Sequence, residues 1–513
     1  ESFVSRASSA TYVDDATGLI KTTPVNLLTY SEQVEQWDGL SNETITVNAT
    51  EAPDGSMTAD RLVLPDSNST YAVNSYTSTD GVHIGSVYVK AVTPGTNSNF
   101  TLWLGTQSSQ FTATDEWQRV SFSRNVTSDF RFGITNGDDS YISDLFVWGS
   151  QVQRGENVTD YIHTTSTISG AARYENGDLL LEESRINFID TNNNSYGSIW
   201  SNAVPDGAYN NAGIAPDGTN TAFATTTYGT KVRGQKNYNV TSNTSQYTFS
   251  IFIKSTGGQG QYVTYATGFH QGDQDTAGEV VYNFSTDSVS HGYSRKKYAN
   301  GWVRIWKTYT NANTTLFLTT NWTTTSLDML FWGAQLEIGA FPSSLIITPT
   351  GANVTRAADV STSALGVDSW YNQSEGTVFA EANGYPHPLT GKALVPFAFS
   401  DNTYNNRITL AGSTGNSQFN FDVTVGSTQK RAILGNFVSS GLKSSGGYKS
   451  TGSAGSLDGA AAVTSSTPNI PSVISHLDIG QAHDEGNVIS GHITRLAYFP
   501  TRLPDDKLKS ITT

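Results

Sequence analysis

Hydrolysis of a glycosidic bond needs two carboxyl groups across the sugar, one to protonate the leaving oxygen and one to attack or to activate water. The alternating Glu-x-Asp-x-x-Glu run that would set such groups on one strand face does not occur in this chain. Glu182 and Glu183 are adjacent, so a strand sends them to opposite faces, and they read as connector charges. Asp484-Glu485 precede Gly486-Asn487 and read as a turn. There is no Gly-x-Ser-x-Gly elbow and no His-Glu-x-x-His, and Gly391-Lys392 is followed by Ala393 where a phosphate-binding loop needs Ser or Thr. The nearest histidines, His476, His483 and His492, read as loop residues rather than metal ligands. These residues predict a protein that is not an enzyme.

Binding chemistry has better candidates. A sugar is held by aromatic rings against its C–H faces and by amides, carboxylates and backbone groups on its hydroxyls. Tyr385 and His387 in Tyr385-Pro386-His387-Pro388, Tyr404 and Asn405 in Tyr404-Asn405-Asn406-Arg407, and Tyr448 are the candidate carbohydrate-binding residues. Asp401 and Asn402, with Asn405, are the weak candidates for a metal, which would be calcium. The favoured reading of these residues is a polar turn between strands. Asp273-x-Asp275 followed by Gly278 starts like a calcium loop but has Ala277 and Phe284 at later ligand positions. No other cofactor is expected.

Composition narrows the rest. The 513 residues hold 45 acidic and 30 basic side chains, a net charge of −15. That balance predicts no nucleic-acid partner, because phosphate contacts need Lys and Arg. No apolar run is long enough to predict membrane insertion. The absence of Cys removes disulfides and zinc–thiolate sites. Asn-x-Thr sequons such as those at Asn42 and Asn321 are expected by chance in a chain this rich in Asn and Thr, though they leave open a secreted, glycosylated adhesin.

An internal repeat organises the elements. Trp37 and Ala52-Pro53-Asp54-Gly55 recur 163 positions on, as Trp200 and Ala215-Pro216-Asp217-Gly218. Val87-Tyr88-Val89-Lys90 recurs as Ile251-Phe252-Ile253-Lys254. Trp117-Gln118-Arg119 and Trp148-Gly149-Ser150-Gln151 return as Trp302-Val303-Arg304 and Trp332-Gly333-Ala334-Gln335, after about 20 extra residues that include Gly268–Asp273, read as loop. The four tryptophans Trp117, Trp148, Trp302 and Trp332 read as core. Period-two alternation and turn-forming clusters predict an all-β chain of tandem β-sandwich (jelly-roll) modules joined by hairpin connectors. The divisions are 1–27, a hairpin connector; 28–165, the first module; 166–187, a second hairpin with an Asn176-Gly177 turn; 188–350, the repeat of the first module; and 351–513. Both hairpins are expected to act as lead-in ribbons for the copy that follows them. In the last segment Ser439–Thr464 reads as a solvated low-complexity connection, and Pro504-Asp505-Asp506 as the start of a short helix.

Leu181-Glu182-Glu183-Ser184-Arg185-Ile186-Asn187-Phe188 and Phe331-Trp332-Gly333-Ala334-Gln335-Leu336-Glu337-Ile338-Gly339-Ala340-Phe341-Pro342-Ser343-Ser344, followed by Thr355-Arg356-Ala357-Ala358-Asp359, resemble stretches of bacteriophage tail-fibre and virion-appendage proteins. Gly491–Tyr498 and Leu503–Leu508 are similar to the closing strand and helical turn of a concanavalin A-like, laminin-G-type module. The first copy departs from the pattern, with Glu156-Asn157-Val158-Thr159 where the second has Phe341-Pro342-Ser343-Ser344. The resemblance implies a virion structural protein, assembled in the bacterial cytoplasm as a homotrimer. Its implied partners are other virion proteins and host cell-surface glycans. The rival expectation is a structural decoration protein that binds no sugar.

Overall fold

The computed structural model describes residues 4–66, 70–136, 141–189, 208–225, 232–239, 246–256, 265–267, 282–284, 286–290, 292–310, 315–322, 329–348, 352–364, 370–385, 394–413, 418–436, 441–465, 470–482 and 489–513. The chain is all-β, built of sandwiched antiparallel sheets. Among the described residues one α-helix, Asp505–Ile511, closes the chain. It starts after Pro504 with Asp505 and Asp506 in its first turn, where carboxylates oppose the positive end of the helix. Among the described residues no helix is long and apolar enough to cross a membrane. Two compact units form: Glu1–Ser9 with Thr23–Ala172, and Ala10–Thr22 with Arg173–Thr513.

The first unit holds the first repeat copy as two five-stranded sheets. One runs Gln107–Ala113, Ser98–Leu104, Arg131–Thr135, Tyr71–Ser75, Gly39–Ser41; the other runs Gln118–Val126, Gly81–Ala91, Ser143–Arg154, Ala59–Leu64, Thr44–Thr50. Alternate residues face inward, Phe100, Leu102 and Leu104 from one sheet against Val87, Val89 and Ala91 from the other. The strand Ser143–Arg154 is buried along nearly its whole length, as its dense apolar run predicts. Its register slips between Trp148 and Gln151, where Gly149 sits at φ 64°. A side chain there would be strained and would meet the Tyr88 ring at 3.1 Å, so the Trp-Gly pair of the repeat marks a β-bulge.

Asp60 is buried in this unit, and its carboxylate accepts from Val34 N and Asn48 N. Burial outweighs those bonds and, with Glu35 nearby, pushes the carboxyl up to about 6. The folded state therefore prefers the protonated form. Stability from this group is full below the ordinary value of 3.8 and is lost as pH rises through about 6. A carbon-detected NMR titration is expected to show the Asp60 carboxyl turning over near pH 6.

In the second unit the second copy repeats the design. Its larger sheet runs Ala208–Gly213, Ala222–Thr225, Met329–Ile338, Gln246–Ser255, Val303–Thr310, Ser294–Lys297. Equivalent side chains make equivalent bonds. Asn26 accepts from Leu28 N and Val152 N while donating to Ser150 O and Ile162 O. Asn187 does the same with Ile189 N, Leu336 N, Ala334 O and Ile346 O. Trp148 and Trp332 donate to Thr58 and Thr221, and Trp117 and Trp302 to the carbonyls of Glu51 and Ile214. Gly333, at φ 61°, repeats the bulge of Gly149. Of the extra residues in this copy, Gly268–Asp273 lie outside the described residues.

The C-terminal module is a sandwich of its own. Val360–Ala364, His476–Ile479, Leu394–Ser400, Arg407–Ser413, Gln418–Val425 and Thr428–Asn436 pair in that order in one sheet. The other runs Arg173–Glu175, Asp178–Leu181, Ser490–Phe499, Glu375–Tyr385, Leu442–Lys449, Ser453–Leu457, Val463–Ser465. Its last three strands correct the reading of Ser439–Thr464 as a solvated connection. The glycines there are a packing device: a Cβ on Gly446 would stand 2.1 Å from Phe421 Cδ2, and one on Gly455 2.9 Å from Leu434 Cδ2. Small residues on these strands make room for large ones from the opposite sheet.

The hairpins also differ from expectation. Thr11–Val13 pairs with Ile20–Thr22, but this ribbon packs on the second copy rather than the first. Ile20 N donates to Pro216 O at 2.9 Å, Thr11 Oγ1 donates to Leu345 O at 2.6 Å, and Ile20 joins Trp302 and Trp332 in one apolar cluster. The second ribbon, with Asn176 and Gly177 at positive φ in its turn, pairs through Leu179–Leu181 with Gly491–Ile493 of the C-terminal module. The first ribbon skips the copy that follows it and docks on the second copy; the second ribbon joins a sheet of the C-terminal module while its Arg173 and Glu175 still touch the second copy. Their apolar residues fit there: Ile20 on the tryptophans, and Leu180 and Leu181, both buried, in the last module.

Candidate functional site

The second ribbon, the second copy and the C-terminal module meet around a buried charge cluster. Arg173 and Arg356 both donate to Glu182 Oε2, at 2.7 and 2.6 Å, and Ser344 donates to Glu182 through its backbone N–H and its hydroxyl. Asp359 takes the other arm of Arg173 and the Glu182 N–H. Burial works to raise the Glu182 carboxyl, and the two guanidiniums with Ser344 overcome it, leaving it well below the usual carboxylate range. Glu183 points elsewhere, to Arg185, which also lies 3.6 Å from Glu337 and over the Phe341 ring at 4.9 Å. In the first copy Gln153 replaces Glu337 and Pro24 replaces Arg185, so the cation and its anion are absent together. Glu182 and Glu183 are thus parts of a structural joint, with Glu182 held ionised by its arginines. A carboxylate held charged by two arginines has no proton to give and is no general acid.

A cleft of about 400 Å³ opens beside this joint. The second copy supplies Lys296 from its edge strand, Tyr298 from the segment after that strand and Trp306 from the neighbouring strand, with Phe341 beside them. The ribbon supplies Glu175 and Leu180, and the C-terminal module supplies Asn383 and His492. Tyr298 and Trp306 are half-buried. Glu175 Oε2 lies 3.4 Å from His492 Nε2 and 3.6 Å from Lys296 Nζ, while its other oxygen accepts from Val13 N at 2.8 Å. Burial pushes the Glu175 carboxyl up, but His492, Lys296 and the Val13 amide outweigh it and hold it below its ordinary value. Lys296 Nζ stands 5.5 Å over the Tyr298 ring. The floor is a close approach of backbones: a Cβ on Gly491 would come 2.1 Å from Asn383 O, and Gly384 opposite it sits at φ 149°. Aromatic faces, an amide, a carboxylate and a cation around one cavity form a set that can grip a polar ring compound with C–H faces.

The residues singled out in the sequence fall elsewhere. Tyr404 is exposed, with Arg407 4.9 Å over its ring, at a second depression of about 230 Å³ on the C-terminal module. Arg407, Thr409, Asn420 and Asp422 line that depression, and Arg431 and Gln429 both bond the Asp422 carboxylate. Asn405 lies next to Tyr404, but its side-chain oxygen accepts from Ser427 Oγ and is spent holding a turn. Tyr448 is corrected: it is a fully buried strand residue, its hydroxyl donating to Asn372 O at 2.9 Å, and it has no face for a sugar. Tyr385 ends the strand Glu375–Tyr385, opposite Ser490. His387 and the Asp273 loop lie outside the described residues, as does His483.

For calcium the fit is poor. The Asp401 carboxylate accepts from Thr403 N, Thr403 Oγ1 and Asn406 Nδ2, all within its own turn. Asn402 sits in that turn at φ 64°. No group of three His, Cys, Asp or Glu among the described residues converges to hold a metal.

The tryptophan reading mostly stands: Trp148, Trp302 and Trp332 are buried, while Trp117 is only half-buried. The cleft aromatics were missed. The available signal was a difference between copies: Trp302, Arg304 and Trp306 share a strand face, and the equivalent positions of the first copy are Trp117, Arg119 and Ser121.

No family model matches the chain, and no curated protein matches it. Solved structures similar to parts of it include the Ruminococcus gnavus sialidase CBM40 module bound to α2,3-sialyllactose, at 12% identity over 28% of this chain and 84% of that one, with a TM-score of 0.23. The tandem CBM22 modules of Paenibacillus barcinonensis Xyn10C match at 13% identity over 61% and 97%, with a TM-score of 0.21. Mouse laminin α1 domains LG4-5 match at 10% over 53% and 88%, also with a TM-score of 0.21. At such scores these likenesses add nothing to what the sheets themselves show.

Proposed function

We propose that this chain is an adhesion protein of a virion surface, a tail fibre or capsid appendage, that holds host saccharides in the cleft beside the Glu182 joint. The observation that carries the binding reading is the cleft itself: Tyr298, Trp306 and Phe341 stand around the same cavity as Glu175, Asn383, His492 and Lys296. Rings stack on the C–H faces of a pyranose and the polar groups take its hydroxyls. The virion setting rests on the resemblance of the connector stretches. Such sites are weak singly, and a trimer presenting three clefts on one scaffold would gain avidity without a tight individual contact.

A glycan array probed with the full chain tests this. Binding to bacterial surface saccharides is expected, and Trp306→Ala should weaken it by about tenfold or more, the loss of roughly 1.4 kcal/mol that removing one central aromatic contact entails. Tyr404→Ala should leave it nearly unchanged. A silent array would favour a decoration protein with no sugar ligand. Loss on Tyr404→Ala with retention on Trp306→Ala would move the site to the C-terminal module. Release of reducing ends from a bound polysaccharide would make the protein a hydrolase.

A further inference from the structure

We propose that the first module carries a docking seat for a β-ribbon of another polypeptide, the counterpart of the seat that the ribbon Thr11–Thr22 occupies on the second. The second module shows how such a seat works. Ile20 lies against Ala215, Ala222, Trp302 and Trp332, and is 5% exposed. Its N–H donates to Pro216 O, and a Cβ on Gly218 would stand 3.2 Å from Leu19 Cδ1. Under this ribbon Trp302 is 1% exposed.

The first module builds the same wall. Ala52, Ala59 and Trp148 form the matching cluster, with Tyr88 and Trp117 packed against it. Trp117 and Trp148 are oriented by the same hydrogen bonds as their counterparts, to Glu51 O and Thr58 Oγ1. Among the described residues of this unit no ribbon lies on them. Trp117 is half-exposed, and nothing lies within 4 Å of a Cβ built on Gly55. Among the described residues Pro53 O, the counterpart of Pro216 O, accepts no backbone hydrogen bond in its turn. Tyr161 stands where the second module has Leu345 and packs on Trp148 at 4.5 Å, so the open contact area centres on Trp117.

The ribbon would come from a different protein rather than from a second copy of this chain. Both ribbons of this chain are committed: Thr11 and Ile20 are buried on the second module, and Leu180 and Leu181 in the C-terminal one. A second copy would have to strip one of these seats to fill another, with no net gain in buried area. The partner is a polypeptide with a tight two-stranded ribbon that presents an aliphatic side chain to Trp117 and a backbone N–H to Pro53 O. This inference is independent of any saccharide in the cleft of the second unit.

The test uses the full chain and a backbone-cyclised peptide of the sequence Ala10–Thr22 as probe, followed by calorimetry and by photo-crosslinking from the Ile20 position. One peptide is expected per chain, crosslinked near Trp117. Trp117→Ala should weaken binding by about tenfold or more, and the peptide carrying Ile20→Asp should not bind at about 1 mM. Gly55→Asn, which tolerates the positive φ and places a side chain in the seat, should block binding and does not depend on the folding of the Trp117 variant. Absence of binding at that concentration would overturn the proposal. Crosslinks to the second module, binding indifferent to Trp117→Ala and Gly55→Asn, or concentration-dependent self-association abolished by Ile20→Asp in the chain would overturn it as well.

Discussion

Glu182→Ala is expected to destabilise the second unit by about 3–5 kcal/mol, because it leaves Arg356 and one arm of Arg173 buried without their anion. The loss should appear in denaturant unfolding and in hydrogen exchange of the strands Asp178–Leu181 and Val354–Arg356, which this carboxylate ties to Ser344. The amides of Ser98–Leu104, in the first unit, should keep their protection. Glu182→Gln keeps the shape and one acceptor, and should lie between the two. The pH dependence has a definite sign. The folded state holds the Glu182 carboxyl below its ordinary value of 4.5, so its contribution is full above that pH and fades as the solution is acidified further. An Ala variant within about 1 kcal/mol of the parent would mean that burial of these charges costs as much as their pairing returns.

The second large effect is a contrast between equivalent residues. Trp302→Ala should cost about 3–5 kcal/mol, the range for emptying a fully enclosed aromatic site. Trp117→Ala should cost nearer 1 kcal/mol, since a half-exposed ring gives up less buried surface. Both indoles make the same backbone hydrogen bond, so the difference isolates the cover that Ile20 provides. Thermal unfolding of the two variants, read by far-UV circular dichroism, measures it. Equal losses would show that the ribbon contributes nothing to the Trp302 site.

The repeat was legible because its markers are residues with one structural use. Trp-Gly identifies a bulge that needs a left-handed glycine under an aromatic ring, and Asn176-Gly177 a tight turn. Strands were legible where residue types alternate, as in Val87–Lys90. Ser439–Thr464 was misread because a strand that admits Phe421 by being small looks, in composition, like a linker. Tyr448 was misread with it. The adjacency of Glu182 and Glu183 foretold separate directions, and they do serve separate arginines. That both are buried depends on Arg356 and Ser344, more than 160 positions away, which no local pattern reveals. The cleft aromatics belong to the same class: Trp306 and Phe341 look like core until the ribbon and the last module define where the core stops.

The forward docking of the first ribbon has a consequence during synthesis. Ile20 leaves the ribosome about 280 residues before Trp302. At roughly 5–20 residues per second that is a wait of about 14–56 s. The intervening domain has time to fold completely while the ribbon stands uncovered. Until Trp302 arrives, the nascent chain offers a bare apolar edge that a chaperone, or a neighbouring chain on the same message, can reach first.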